Sequence, residues 1–335
     1  MNKVFYVLIT FFLWSCQTEK AQDTNAVKSK SESKSANLDS LLVLYPDSLD
    51  IIYKRAQSAF EKNDWTKYLN VAAKAYVIDS SRLESRILYA KALLNFPKSS
   101  TVDIINSKRI YSKILAQDSS NVEALIGIAQ HYGIDNIQEC FRYTNLAIKS
   151  NPRYRDAYVL KGSIYRRLGD EKLMLSSWQT ALNIDPQWTN GYIYIGSYYL
   201  SIKDPLSLEY FRSCYELEPN NPDFIYQLAY ACEQFNKKDE ALTFYRKIVS
   251  VDSTYYLGYF HLGYDKQFDQ NDVDSAFYFY DEVLKINANH IESLHNKGLL
   301  YEEIGDKTNA LLTYAKVLKI DPSYSLSKER VSKLK

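Results

Sequence analysis

"GSIYRRLGDEKLMLSSWQTALNIDP" occupies residues 162–186, and "GLLYEEIGDKTNALLTYAKVLKIDP" occupies residues 298–322. Gly162, Tyr165, Gly169, Asp170, Ile184, Asp185 and Pro186 recur as Gly298, Tyr301, Gly305, Asp306, Ile320, Asp321 and Pro322, an offset of 136 residues, or four times 34. Agreement at such a multiple, with divergence in between, marks a repeated unit whose apolar face is completed by its neighbours. From Leu49 onward the frame fits eight times: 49–82, 83–121, 122–154, 155–188, 189–221, 222–255, 256–290 and 291–324.

Each shared position has a physical cause. The small residue of the first helix (Ala56, Ala90, Ala129, Gly162, Gly196, Ala229, Gly263, Gly298) lets the two helices of a unit approach closely. A larger side chain there would cost about 1–3 kcal/mol in strain. Tyr132, Tyr165, Tyr199 and Tyr301 lie one turn further along the same face. Gly169 and Gly305 suit a left-handed turn. Four of the eight prolines fall at the slot that ends the second helix. Ala241, Leu242, Tyr245, Ile248 and Val249 show the apolar spacing expected of that second helix.

These residue types in this order resemble the tetratricopeptide repeat, and the resemblance covers residues 49–324. It implies an all-α fold, a right-handed α-solenoid of about eight helix-turn-helix repeats. Residues 38–48 then read as an N-terminal capping half-repeat and residues 325–335 as a C-terminal capping helix that keeps the last apolar face dry. The second repeat carries a five-residue surplus around "NFPKSSTVD", expected as a longer inter-helix loop. Tyr68, Met174 and Ser207 stand where the family usually has alanine, so looser packing is expected there.

The N-terminus is a separate matter. Lys3 precedes the apolar run "VFYVLITFFLW", too short to span a bilayer as a permanent helix but suited to an export signal. Leu13-Trp14-Ser15-Cys16 resembles the bacterial lipobox, although Trp14 is bulkier than usual at its position. The resemblance implies a lipoprotein signal peptide over residues 1–15 and acylation at Cys16, where several chains together give stable anchoring. Residues 16–37, almost without apolar side chains, read as a disordered tether. Gln17 stands where such lipoproteins carry an aspartate for inner-membrane retention, so the expected location is the outer membrane, facing the periplasm.

Lysine plus arginine (41) nearly equals aspartate plus glutamate (40), which argues against a nucleic-acid partner. His131, His261, His290 and His295 form no paired metal-ligand spacing, and no phosphate loop or nucleophile elbow is present. The reading is therefore a non-enzyme without metal or cofactor. Cys140, Cys214 and Cys232 fall on core slots and read as buried free thiols. A Cys214–Cys232 disulfide remains the alternative in an exported chain.

In the resembled family, first-helix positions 2, 5, 6, 9, 12 and 13 face a concave binding groove. Carried over, they give Tyr226, Tyr230 and Glu233 in the sixth repeat, Phe260, His261, Tyr264 and Phe268 in the seventh, and His295 and Glu302 in the eighth. Aromatic residues there offer large contact area with a polar tip, although tyrosines at these spacings also suit packing between helices. The positions that would clamp a free C-terminal carboxylate carry Tyr53, Gln57, Ile87, Lys91, Ile126 and Gln130, and one lysine is not a clamp. The expected function is a non-catalytic scaffold of the bacterial cell envelope, holding a peptide segment or partner helix of another envelope protein. The alternative is a lipoprotein that binds a glycan or peptide solute.

Overall fold

The computed structural model describes residues 38–133 and 135–334, and every regular element among them is helical. The expected signal peptide, Cys16 and the tether lie outside the described residues. The helices are α1 (38–44), then α2 (Leu49–Glu61), α3 (Trp65–Ile78), α4 (Leu83–Asn95), α5 (Thr101–Gln117), α6 (Val122–Tyr132), α7 (Ile137–Ser150), α8 (Arg155–Leu168) and α9 (Glu171–Ile184). There follow α10 (Thr189–Ser201), α11 (Leu206–Leu217), α12 (Pro222–Gln234), α13 (Lys238–Val251), α14 (Tyr256–Phe268), α15 (Val273–Ile286), α16 (Ile291–Glu303), α17 (Lys307–Ile320) and α18 (Ser325–Leu334).

The described residues divide into two compact units, 38–191 and 192–334. In the first, α2 pairs with α3, α4 with α5, α6 with α7 and α8 with α9, and each pair leans on the next through α3–α4, α5–α6 and α7–α8. The second repeats this scheme with α12–α13, α14–α15 and α16–α17, joined in sequence and closed by α18 on α17.

Local chemistry sets where helices begin and end. Asp64, Asn136, Asp170, Asp272 and Asp306 each cap a second helix by accepting a backbone N–H three residues on, a contribution of about 1 kcal/mol apiece. The end of the unit works differently from its sequence reading. In seven repeats the Asp or Asn of that slot accepts the N–H two residues ahead, as in Asp79 to Ser81 (3.0 Å), Asp185 to Gln187 (3.1 Å) and Asp321 to Ser323 (2.8 Å). This local turn reverses the chain whether proline follows or not.

The core forms where a bulky side chain of a second helix meets a small residue of a first helix. A methyl group added at Gly162 would overlap the buried Trp178 indole, and one at Gly298 would overlap the Tyr314 ring. Ala229 and Ala56, fully buried, lie in the same clusters as Tyr245 and Tyr68. Tyr68, Met174 and Ser207 are all buried. The surplus in the second repeat is not only loop: Ser100 forms a capping box with Asp103, and α5 runs for 17 residues against 14 in α3, α7 and α9. The capping serine starts the helix early, so most of the insertion becomes an extra turn.

Both ends of the array are tied by charge. Buried Arg55 donates to both carboxylate oxygens of Asp39 on α1 (2.7 and 3.0 Å), and Lys67 joins at 3.1 Å. At the other end, Arg330 of α18 donates to both oxygens of Glu302, 2.7 Å from Nε. Cys140, Cys214 and Cys232 are buried thiols, and the Cys214–Cys232 disulfide is not made. Burial pushes their thiols up to about 11, 12 and 11, which leaves them inert.

Candidate functional site

The expected groove residues all belong to α12, α14 and α16 of the second unit. At their centre is Glu233 on α12. One of its oxygens accepts the Tyr245 hydroxyl of α13 at 2.7 Å and lies 3.0 Å from His261 Nδ1 of α14. Burial pulls the Glu233 carboxyl upward, but its bonds to His261 and Tyr245 outweigh that and hold it below the usual range. The His261 ring stacks on Tyr245, centroids 4.2 Å apart and planes 6° from parallel.

Around this pair the aromatic rings form a continuous layer. Tyr226 has Tyr230, Tyr245, Tyr255 and His261 within 5.8–6.3 Å. Phe260 touches His261, Tyr264, Tyr280 and His290 at 5.0–6.5 Å. Tyr226, Tyr230, Phe260 and His261 are half-buried, so much of their area is spent on one another. Tyr264 and Phe268 differ: they are 44% and 46% exposed, and their rings lie 4.6 Å apart along one face of α14. The layer therefore presents two outward aromatic faces on a rigid bed.

Two expected groove residues are placed elsewhere. His295 is buried beneath α18, with Nδ1 2.9 Å from Ser327 Oγ and its ring 5.5 Å from those of Tyr314 and Tyr324. Tyr53 meets Ser85 in the same register at 2.9 Å. First-helix position 5 is thus a contact between successive first helices, and α18 supplies to α16 what a further repeat would. Glu302 is occupied by Arg330 and by the Tyr314 hydroxyl at 2.5 Å. Burial raises its carboxyl, but those bonds prevail and leave it lowered.

Position 12 has a role the sequence reading missed. Tyr245, Tyr280 and Tyr314 donate to Glu233, Gln267 and Glu302, each from the second helix of a repeat to its own first helix. The signal was present as a tyrosine 12 or 13 residues after an acceptor, three times in succession. Positions 9 and 13, which carry Tyr264 and Phe268, remain open. Among the described residues no group of three or more His, Cys, Asp or Glu side chains is placed to hold a metal ion. None of the helices among them is long and apolar enough to cross a membrane.

The family model for the tetratricopeptide repeat matches residues 156–187, 222–255 and 291–324. Human Tetratricopeptide repeat protein 6 is 24% identical over 202 residues, covering 59% of this chain and 32% of that protein. Hsp70-Hsp90 organizing protein 1 of Glycine max is 26% identical over 156 residues, covering 45% of this chain and 27% of its own length. The chain spans well under half the length of the curated relatives it matches. The solved C-terminal part of a TPR repeat-containing protein from Cytophaga hutchinsonii superposes with a TM-score of 0.58 at 17% identity, covering 72% of this chain and 98% of that one. With helix pairs at the repeat spacing, bulky-on-small packing inside them and three units matched by the family model, the chain is a tetratricopeptide-repeat protein.

Proposed function

We propose that this protein is a non-catalytic interaction scaffold that binds a peptide segment or partner helix on the aromatic face of α12 and α14. The observation that carries the reading is the Tyr264–Phe268 pair, exposed at 44% and 46% and backed by side chains already locked in place. Rigid exposed aromatics are the residue type that dominates binding energy, because they bury much area and lose little side-chain entropy. A glycan site would need polar groups free to take sugar hydroxyls. Of the carboxylates at the layer, Glu233 is engaged by His261 and the Tyr245 hydroxyl and Asp223 by the Tyr255 hydroxyl, which favours the peptide reading. The likeness to an Hsp70-Hsp90 organizing protein supports the scaffold role in general; with Lys91 alone among the clamp positions, the recognised feature here is not a C-terminal carboxylate.

The expected acylation at Cys16 belongs to the same proposal. It holds the scaffold at the periplasmic face of an outer membrane, with other envelope proteins as partners. Replacing Cys16 by serine should move the protein from the membrane fraction to the soluble fraction; an unchanged distribution removes the anchor from the proposal. For the groove, peptides selected from a random library against the full chain should lose at least tenfold in affinity for Tyr264→Ala/Phe268→Ala. Because both side chains are exposed, the melting temperature should stay within a few degrees of the parent value. Peptide binding that ignores the double substitution refutes the site.

A further inference from the structure

In the first unit, a cavity of about 240 Å3 opens between the second helices α3 and α5, above α4. Its walls carry Tyr76, Arg86, Tyr89, Arg109 and Lys113, with Asn106 and Ile110 beside them, and no acidic residue lines it. Arg86 is in an unusual place. In four other repeats its position holds a fully or nearly fully buried aliphatic (Ile52, Leu125, Ile225 and Leu294), and in the remaining three a half-buried tyrosine (Tyr158, Tyr192 and Tyr259). The Arg86 Nε is buried without a hydrogen-bond partner, while Nη1 donates to Gln117 at 2.8 Å. Leaving a buried guanidinium donor unpaired is costly, so a cation at a core slot that opens on a cavity calls for an acceptor.

The second unit contains the same register in closed form. Lys247 occupies the place of Lys113, five residues before the closing aspartate, and Tyr215 that of Tyr76. There the lysine donates to the Tyr215 hydroxyl at 2.6 Å, Phe244 packs edge-on against that ring, and Ile225 replaces the arginine. In the first unit Ile110 is the shorter counterpart of Phe244, and the space stays open. The nearby Asp103 accepts from the Ser100 hydroxyl and backbone N–H (2.7 and 2.9 Å) and forms no ion pair with the cavity's cations.

We propose that this cavity binds a small phosphomonoester, with its head on Arg86, Arg109 and Lys113 and its organic body against the tilted Tyr76–Tyr89 pair, whose centroids are 4.9 Å apart. Three cations without a lining acid suit a group carrying nearly two negative charges and three acceptor oxygens better than a carboxylate. The arginine forks match tetrahedral oxyanions in geometry as well as charge. The volume is slightly below the usual range of about 300–1,000 Å3 for drug-sized ligands, which limits the body to about one ring. This site lies in a different unit from the aromatic face and stands or falls independently of it.

The test is calorimetric titration of the full chain with phenyl phosphate, inorganic phosphate and benzoate, against sodium chloride at matched ionic strength. Saturable one-to-one binding of phenyl phosphate is expected, weaker binding of inorganic phosphate, and none of benzoate at the same concentrations. Arg86→Met and Lys113→Gln should each weaken phenyl phosphate at least tenfold. Arg86→Met should keep or raise the melting temperature, because four other repeats hold a buried aliphatic in that slot. Failure of phenyl phosphate to saturate overturns the proposal, as does benzoate binding equally well or either substitution leaving affinity intact.

Discussion

Tyr280 offers the sharpest test of how the second unit is held together. Its fully buried hydroxyl donates to Gln267 Oε1 at 2.9 Å and accepts from Asn296 Nδ2 at 3.0 Å, so it bridges α14, α15 and α16. Gln267 and Asn296 are themselves only 5% and 8% exposed. Tyr280→Phe keeps the ring and its packing but removes one donor and one acceptor. Two hydrogen bonds are worth about 1 kcal/mol each, and a stranded buried partner adds about 1–3 kcal/mol. Gln267 Nε2 keeps only a long contact of 3.4 Å to the Asn296 carbonyl, so a loss of roughly 3–5 kcal/mol is expected. Tyr314→Phe is the internal control: Glu302 keeps both bonds from Arg330, so the cost should be about 1 kcal/mol. Because repeat arrays do not always unfold in one step, hydrogen exchange of the α15 and α17 amides is the better assay. Two kcal/mol corresponds to roughly thirtyfold faster exchange. A Tyr280→Phe protein protected as well as Tyr314→Phe would refute the claim that hydroxyl bridging, not ring packing, joins these repeats.

The remaining predictions concern single positions. Gly298→Ala should cost about 1 kcal/mol of unfolding free energy in denaturant titration, since overpacking against Tyr314 exceeds the gain in helix propensity; a stabilised variant would show that the ring yields freely. Gly305→Ala, at φ 77°, should lose a similar amount, about 1 kcal/mol, through backbone strain alone. Burial, and then Lys108, lower the His131 imidazole from 6.5 to about 4. The neutral folded form therefore contributes stability that is complete above pH 6.5 and is lost as pH falls towards about 4, up to roughly 3 kcal/mol. His131→Gln should flatten the denaturation midpoint across that window, and an unchanged slope would place the acid sensitivity elsewhere.

Much of the fold was legible because its determinants are local or strictly periodic. The small residue of the first helix and the apolar spacing of the second both follow from one helix lying on another at fixed intervals. The closing Asp or Asn was visible too, but its mechanism was not. Proline drew the sequence reading, whereas the side-chain acceptor at Asp79, Asp118 and Asp252 makes the turn without one. The insertion in the second repeat lengthened the loop as expected, but most of it became helix because Ser100 and Asp103 cap α5 early.

The candidate site was half legible. Sequence spacing alone placed Tyr226, Tyr230, Phe260, His261, Tyr264 and Phe268 on first helices of the sixth and seventh repeats. It could not rank them, because exposure depends on what the neighbouring helix brings. His261 stacking on Tyr245 and α18 lying over His295 are contacts between residues 16 and more than 30 positions apart. So the sequence by itself determined the unit, its period and which helices carry the aromatic residues, since these follow from chain-local geometry. Only the tertiary structure decided that Glu233 and Glu302 are spent internally, that Tyr264 and Phe268 face outward, and that Arg86 borders an open cavity where Ile225 fills its slot, because each outcome rests on which side chain from another helix arrives to occupy the space.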